Sequence, residues 1–319
     1  SSPKMAPGSS AHRLLELLPE KLDAVYFVNS GAEAIDAAMK LVRRVTRRTK
    51  ILAVTGGYHG NTFGALSVSS NVERKAPFAP LVGDIELIEW NDPTGLNAID
   101  ASVAGVIVET VQGDAGIRIP DTDWLQVLRD KCSDAGAHLV LDEIQCGFGR
   151  TGRPFAFEHF GIVPDHLCLG KALGGGMPMG ALVSNKSHLQ QFAHSPSLGH
   201  ITTFGGHPVP CAASAAASAL LKATDWQRVE AVGATIEKTM LQCEQVHDVR
   251  RTGLYIAVEL ASAEAVNYVV QHAMKRGVLV FYFLSTPQAF RIAPPLNIND
   301  VDLREALHTL VGCIDELEG

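Results

Sequence analysis

The sequence predicts an α/β protein with a large mixed-sheet domain and a smaller α+β C-terminal domain. Its 319 residues fit about two domains. Of these, 46% are hydrophobic, enough for a substantial core. Short apolar runs alternate with amphipathic stretches over most of the chain, as in a sheet covered by helices on both faces. The pattern changes after about Leu221, so the predicted domains are residues 13–222 and 223–319.

In the first domain, apolar runs predict strands at Val25–Val28, Ile51–Val54, Ile85–Ile88, Val103–Val108, His138–Leu141, His166–Leu169 and Ala181–Ser184. Periodicity predicts helices over Ala32–Arg48, Asn61–Val68, Thr122–Asp134 and the alanine-rich Ala212–Ala219. Ser1–Ser10 are expected to form a loop or a cut end. Functional groups of such sheets gather at the carboxyl ends of strands. The residues that follow strands are therefore the candidates for chemistry: Ser30, Tyr58, Glu109, Asp142 and Lys171.

The second domain is predicted to contain three helices and three short strands. The helices are expected over Trp226–Cys243, Glu264–Arg276 and Asp302–Leu317. The strands are expected at Tyr255–Leu260, Val278–Phe281 and Phe290–Ile292.

Composition points to a cytoplasmic enzyme with small-molecule substrates. Lys and Arg total 27 against 34 Asp and Glu, a formal charge of -7 that argues against a nucleic-acid partner. No apolar run is long enough to span a bilayer, and Ser1–Ser10 lack a signal-peptide core. The six cysteines form no Cys-x-x-Cys pair, and six in so long a chain do not indicate a disulfide scaffold, which favours a reducing compartment. No metal site is expected, because no zinc-ligand spacing is found among histidines such as His59, His138, His194, His200 and His207.

The segment Ser30-Gly31-Ala32-Glu33 follows a strand and opens a helix. Ser with Glu three residues later forms a capping box, which needs no ligand. The same position also suits a phosphate, because bare N–H groups and the positive end of the helix dipole face the strand end. The segment alone slightly favours the capping box.

The segment Gly147–Gly152 matches the dinucleotide fingerprint Gly-x-Gly-x-x-Gly. That fingerprint requires a helix at its end to hold the pyrophosphate. Arg153-Pro154-Phe155 follows here and does not open a convincing helix. A flexible active-site loop is therefore the favoured interpretation over a nicotinamide site.

Asp142 and Lys171 each follow an apolar strand, where partial desolvation is expected. Desolvation lowers the pKa of a lysine and makes its amine a natural Schiff-base nucleophile. A structural ion pair is the simpler alternative for two such charges. The combination with a phosphate-type helix start and Gly174-Gly175-Gly176 favours a phosphorylated aldehyde cofactor. Such a cofactor needs an amine for its carbonyl, a carboxylate for its ring nitrogen and donors for its phosphate.

With these residues in place, the sequence resembles the class III aminotransferases, which depend on pyridoxal 5'-phosphate (PLP) and include acetylornithine, ornithine and 4-aminobutyrate aminotransferases. The matching motifs follow one another along nearly the whole chain. They lie at Val28–Ala34, Tyr58–Thr62, Val108–Asp114, Leu141–Gly152, Leu169–Gly176, Thr203–Pro208 and Phe290–Pro295.

The resemblance implies a PLP-dependent transferase of fold type I and a homodimer with shared active sites. It implies that Lys171 binds the cofactor as a Schiff base and that Asp142 pairs with the ring nitrogen. Gln145 would contact the ring hydroxyl, and Tyr58 would stack on the ring. The remaining cofactor-binding positions are Ser30, Gly31 and Ala32 at the phosphate, His59, Glu109, and Thr203, which would reach the phosphate of the neighbouring subunit.

Two further positions are implied to bind substrate. Arg291 matches the family arginine that takes a substrate carboxylate. Asp114 stands where acetylornithine- and ornithine-type members commonly have a Glu that neutralises this arginine. The family chain usually begins some tens of residues earlier than Leu14, so a segment of the pocket is expected to be trimmed or absent.

The expected reaction is a ping-pong transfer of an amino group from an amino acid or ω-amine to 2-oxoglutarate. Two alternatives stay open at this point. One is another PLP reaction on the same scaffold, such as racemisation or decarboxylation. The other is a PLP-binding protein without catalytic activity.

Overall fold

The computed structural model describes residues 6–317, which divide into two compact units. The first unit comprises the chain up to Thr110, Pro120–Phe148 and Pro154–Ala223. The second comprises Val111–Ile119, Gly149–Arg153 and the chain from Thr224 onward. The predicted domains, residues 13–222 and 223–319, stay a prediction. Val111–Ile119 and Gly149–Arg153 belong to the second unit although they precede residue 223, and a single boundary in the sequence cannot describe them.

The first unit is built on a seven-stranded mixed sheet, which confirms the predicted fold class. Its strands, β1–β7, are Ala24–Val28, Lys50–Val54, Ile85–Ile88, Val103–Glu109, His138–Asp142, His166–Leu169 and Gly180–Ser184. Their order across the sheet is β1-β7-β6-β5-β4-β2-β3. β7 pairs antiparallel with β1 and β6, and the other neighbours are parallel. The central strands are buried on both faces, which explains their continuous apolar runs.

Seven α-helices of this unit are described. They are α1 to α7 at Ala6–Leu15, Gly31–Thr46, Phe63–Val68, Val72–Lys75, Thr122–Ala135, Lys186–Leu189 and Pro208–Lys222. α2 is amphipathic and buries its apolar face, including Ile35, Leu41 and Val42, in the main core. It ends at Arg47, whose φ of 60° lies in the left-handed region typical of a helix C-terminus.

The second unit packs helices against a four-stranded antiparallel sheet. Its helices, α8 to α10, are Trp226–Met240, Ala263–Lys275 and Asp300–Asp315. Its strands, β8 to β11, are Val246–Thr252, Tyr255–Leu260, Phe281–Tyr282 and Ala289–Ile292, and their order across the sheet is β10-β11-β9-β8. Apolar residues of the three helices and of β9 and β11 form one core.

Two local predictions are wrong, and one strand was missed. Residues 6–10 begin α1, which packs against α7, rather than forming a loop; the earlier residues of the predicted loop lie outside the described part. β8 was not predicted, because it is a polar and only partly buried edge strand without a period-2 pattern. The strand expected at Val278–Phe281 begins only at Phe281. The chain first leaves α9 through Gly277 (φ 89°), and Val278 still bonds back to Ala273.

No helix within the described residues is long and apolar enough to cross a membrane. All six cysteines are buried and carry free thiols.

Candidate active site

A cavity of about 240 Å³ opens at the carboxyl ends of the first unit's central strands. It is lined by Gly31, Ala32, Tyr58, His59, Gly60, Asn61, Glu109, Asp142, Ile144, Gln145 and Lys171. The structure therefore brings most of the site residues inferred from the sequence to one place. β4 and β5 explain why, because Glu109 and Asp142 are paired neighbours at the ends of these parallel strands.

Asp142 is the central buried charge of this cavity, and its side chain is 4% exposed. Its Oδ2 lies 2.7 Å from Nδ1 of His59, and its Oδ1 accepts a hydrogen bond from the Ile144 amide at 3.0 Å. The carboxylate is thus fixed by one ring and one backbone donor. A charge held in this way can stabilise a positive group in the cavity without reorganising.

His59 was expected at the site without a defined role, and the structure places it behind Asp142. Burial lowers the pKa of His59, but the hydrogen bond to Asp142 and the negative charges of Asp142 and Glu109 outweigh burial and raise the pKa above its usual value. The raised pKa favours the protonated form of the ring beside Asp142. Its Nε2 is buried without a hydrogen-bond partner among the described residues.

The start of α2 is capped as predicted and also faces the cavity. The Ser30 hydroxyl accepts from the Glu33 amide at 3.2 Å. The Glu33 carboxylate accepts from the Asn29 amide at 2.7 Å, one residue earlier than in the usual reciprocal box. The amides of Gly31 and Ala32 have no intrahelical acceptor in this first turn. The helix cap uses the amides of Glu33 and Asn29, whereas an anion would use those of Gly31 and Ala32. The segment can therefore form the cap and bind an anion at the same time.

Gly31 sits where a side chain does not fit. A Cβ on Gly31 would lie 2.7 Å from Cδ1 of Ile144, and a Cβ on Gly170 would lie 3.3 Å from Cα of Gly31. The backbone before Lys171 therefore packs directly on the backbone that opens α2. This close approach holds the amine and the helix N-terminus beside the same cavity.

Lys171 has a backbone conformation that is rare for a residue with a side chain. Its φ is 45°, in the left-handed region, and it begins a 3₁₀ helix over Lys171–Gly174. Strain of this kind persists where the surrounding structure imposes it and is common at functional sites. The side chain lines the cavity, but in the single chain the residue is exposed rather than desolvated as the sequence argument expected.

Tyr58 and Glu109 are linked at the cavity wall. The amide of Tyr58 donates to Oε1 of Glu109 at 2.9 Å, and Glu109 is only 5% exposed. Glu109 therefore fixes the turn that presents the Tyr58 ring. Gln145 follows Asp142 on the turn after β5 and also lines the cavity.

Glu143 is a residue that the sequence analysis missed. It is 1% exposed, and its carboxylate accepts from the Thr110 hydroxyl at 2.9 Å and from the amides of Ala156 and Phe157, both at 2.7 Å. Burial raises the pKa of Glu143 to about 7 despite these three donors. The carboxyl ties the segment after β5 to the 3₁₀ helix at Ala156–His159. The only feature of the sequence that could have indicated a role for Glu143 is its position directly after Asp142.

Glu143 leads to a prediction about pH and stability. Because its pKa is raised from 4.5 to about 7, the folded protein holds this proton more tightly than the unfolded chain. Its contribution is therefore fully present below about pH 4.5 and falls by about 3 kcal/mol as the pH rises to 7. The free energy of unfolding is measured by urea titration for the native protein and for Glu143→Gln. The native value minus the variant value should fall as the pH rises from about 4.5 to 7. Glu305→Gln, at an exposed position of α10, is the control. A difference that does not change with pH would contradict the prediction.

The two predicted substrate residues lie in the second unit. The Arg291 guanidinium lies 5.9 Å from the ring centre of Phe281 and 6.0 Å from that of Phe283. Asp114 accepts from the Leu284 amide at 2.8 Å and from the Ser285 hydroxyl at 2.9 Å. Both carboxylate oxygens are thus engaged by the loop before β11. Within residues 6–317, no ion pair joins Asp114 to Arg291.

Thr203 and the glycine-rich loop Gly147–Gly152 are not among the residues that line the cavity. Thr203 is exposed and, of the described residues, is not among those that line the cavity. After Gly152 the chain forms only the four-residue 3₁₀ helix at Ala156–His159. This geometry disfavours a dinucleotide site, as predicted. The loop is largely buried rather than freely exposed, and Arg150 donates to the carbonyls of Leu254 and Pro294 at 3.0 and 2.7 Å.

Comparison with known proteins agrees with this arrangement. The family model described as Aminotransferase class-III matches residues 4–314. Acetylornithine aminotransferase of Methanopyrus kandleri is 40% identical over 312 residues, which cover 97% of this chain and 79% of that protein. The LysW-aminoadipate semialdehyde/glutamate semialdehyde transaminase of Sulfurisphaera tokodaii is 36% identical over 91% of this chain and 74% of its own.

A solved structure shows the same fold. Ornithine aminotransferase of Toxoplasma gondii, crystallised with PLP at partial occupancy in its active site, superposes with a TM-score of 0.88 at 28% identity. The match covers 99% of this chain and 77% of that one.

Proposed function

The chain belongs to the class-III aminotransferase family, and from that premise we propose that it uses PLP to move an amino group from a small amino-acid or ω-amine donor to 2-oxoglutarate. The observation that carries the proposal is the convergence on one cavity of an amine, a buried carboxylate and a helix N-terminus, from Lys171, Asp142 and α2.

The residues present fit this cofactor. At the N-terminus of α2, the amides of Gly31 and Ala32 are two hydrogen-bond donors for a phosphate, and the positive end of the helix dipole favours its negative charge. A Cβ on Gly60 would lie 2.6 Å from Cβ of Ala32, so a side chain at Gly60 would crowd the phosphate position. Asp142 supplies the negative charge that a protonated ring nitrogen requires, and Tyr58 supplies an aromatic face.

When bound, the cofactor supplies an aldehyde that condenses with amines and a ring that withdraws electrons. Lys171 Nζ would hold the aldehyde of the bound cofactor. As a free amine it would take the proton from the substrate Cα as a general base and then donate it, as a general acid, to the carbon that carried the aldehyde. Asp142, held by its contact with the His59 ring, would keep its charge toward the ring nitrogen of the cofactor. Gln145 would contact the ring hydroxyl.

Arg291 is the proposed partner of the substrate carboxylate, because its planar fork suits bidentate recognition. The engagement of Asp114 by Leu284 and Ser285 supports a role in shaping the loop before β11. We therefore assign Asp114 to the substrate site as an anchor of this loop.

We further propose a cytoplasmic homodimer. Three large apolar residues stand exposed around Thr203 in the single chain, with Leu198 at 68%, Ile201 at 64% and Phe204 at 66%. Such a patch is typical of an interface. It supports placing Thr203 at the phosphate bound by a second copy of the chain. The buried free thiols are consistent with a reducing compartment.

A donor screen tests the proposed reaction. The holoenzyme is incubated with 2-oxoglutarate and either acetylornithine, ornithine, 4-aminobutyrate or lysine, and glutamate is measured. We expect at least one donor to yield glutamate over many turnovers, in amounts equal to the donor consumed. Omission of 2-oxoglutarate should stop the reaction after one equivalent of donor. Loss of donor without glutamate, as carbon dioxide or as the opposite enantiomer, would contradict transamination to this acceptor.

A further inference from the structure

Three histidines meet at the end of the first unit's sheet opposite the cavity. His138 and His166 begin the parallel strands β5 and β6, whereas Asp142 ends β5. His188 lies in the short helix α6. One ring nitrogen from each of the three lies within 4.8 Å of the others. Sequence spacing could not reveal this cluster, because the residues come from three separate elements.

The three histidine rings pack against one another, and some of their ring nitrogens lack hydrogen-bond partners among the described residues. His138 Nδ1 lies 2.7 Å from His166 Nε2, and the His188 ring centre lies 4.8 Å from that of His138 and 5.5 Å from that of His166. His166 is 0% exposed. Within the described part of the chain, Nδ1 of His166 and Nδ1 of His188 are buried without a hydrogen-bond partner. A buried imidazole nitrogen without a partner is costly unless another ligand satisfies the cluster.

The three rings carry the protonation state that a metal requires. Burial lowers the pKa of His138 to about 4, and burial likewise lowers the pKa of His166 and His188. A lowered pKa favours the neutral ring, and a neutral imidazole keeps a lone pair on one nitrogen that can bind a metal.

The charges around the cluster limit its affinity. Asp165, the neighbour of His166, binds Lys21 at 2.9 Å and Arg129 at 2.7 Å and also accepts from the Leu139 amide. One carboxylate is thus outweighed by two cations. We expect the carboxylate to stay with these partners, so that water rather than Asp165 takes a fourth metal position.

We propose that His138, His166 and His188 form a binding site for a divalent transition metal such as Zn²⁺, with three imidazole nitrogens and one water as ligands. Imidazole is a preferred ligand of zinc, and three histidines with one open position form a known tetrahedral set. At Zn–N distances of about 2.0–2.1 Å, the nitrogens must lie about 3.3 Å apart. Metal binding therefore requires the 2.7 Å pair to open and the pairs of up to 4.8 Å to close by side-chain rotation. The site would join the amino ends of β5 and β6 to α6.

Zinc binding to the holoenzyme tests the proposal. The holoenzyme is stripped with a chelator and titrated with Zn²⁺ against a chromophoric competitor, and the metal retained after gel filtration is counted. We expect one zinc more per native chain than per His188→Asn chain, and an affinity loss of more than about 100-fold, since even outer-shell partners contribute 10–100-fold. His138→Asn, a second and partly buried ligand, should behave alike. His308→Asn, exposed on α10, is the matched control and should bind as the native protein does.

Two further readouts separate a metal site from packed histidines. Co²⁺ should give the ligand-field absorption of tetrahedral coordination in the native protein and not in His188→Asn. Lys21→Met removes one of the two cations and should tighten zinc binding by about 2–5-fold at low salt, with a smaller effect at high salt. Equal zinc stoichiometry and affinity in the native protein, His188→Asn and His138→Asn would overturn the proposal. So would the absence of zinc binding by the native protein.

Discussion

A Lys171→Ala variant is expected to bind cofactor and amino donor but to form glutamate about 10⁴-fold more slowly than the native enzyme. The reason is that one amine serves two purposes: it holds the aldehyde and it moves the Cα proton. General base catalysis alone contributes about 10²–10⁴-fold, and loss of the covalent step adds to this. The measurement is steady-state glutamate formation with the best donor of the screen. A small exogenous amine in the buffer should restore part of the rate.

Two variants control for indirect effects. Lys171→Arg keeps the positive charge but cannot condense with an aldehyde, so it should be as inactive as Lys171→Ala. Lys238→Ala removes an exposed lysine of α8 and should be fully active. Borohydride reduction of the native holoenzyme should attach the cofactor to the peptide that contains Lys171. Multiple turnover at the native rate in Lys171→Ala would reject the assignment.

The backbone at Lys171 makes this variant informative about chemistry rather than folding. The left-handed φ of 45° costs nearly the same for alanine as for lysine, so the substitution adds no backbone strain. The close packing of Gly170 on Gly31 does not involve the lysine side chain. The folded fraction of Lys171→Ala without cofactor, measured by circular dichroism at room temperature, should therefore match that of the native protein without cofactor.

The sequence predicted those parts of the molecule that are set by local pattern. The strands β4, β5 and β6 are continuous apolar runs that only a doubly covered sheet explains, and they were located to within a residue. Because parallel strands end at one edge, Glu109, Asp142 and Lys171 could be placed together without a structure. The capping function of Ser30 likewise follows from four consecutive residues.

The rest depends on contacts between residues distant in the sequence. His59 gives no sign of its role until β5 brings Asp142 to 2.7 Å from its ring. The three donors to Glu143 come from Thr110, Ala156 and Phe157, and none of them forms a motif with it. The desolvation expected for Lys171 was inferred from the buried strand before it, but Lys171 itself is exposed in the single chain. Periodicity carries no information on such long-range pairs.

An Asp142→Asn variant is expected to lower kcat by about 10²–10³-fold, the range found when one preorganised electrostatic contact is removed. Asparagine has nearly the same shape, but it lacks the charge that keeps the ring nitrogen protonated. Because Oδ1 and Oδ2 both accept from N–H donors, the amide NH₂ of asparagine must face one of them. Some loss of stability is therefore expected, and the folded fraction is measured by circular dichroism. Asp130→Asn, at an exposed position of α5, is the matched control.

Substitutions at His59 and Asp142, made singly and together, distinguish an electrostatic role of Asp142 from a purely structural one. Removal of the imidazole ring by His59→Asn leaves the Asp142 charge in place but without its partner, so kcat should fall less, by about 10-fold. In an Asp142→Asn background the same His59 substitution should cost little more, since His59 acts only through the carboxylate. A shift in the absorption spectrum of bound cofactor should accompany Asp142→Asn and be smaller in His59→Asn. If the two substitutions were instead independent, His59 would contact the reacting groups directly, and its position behind Asp142 would not explain its effect.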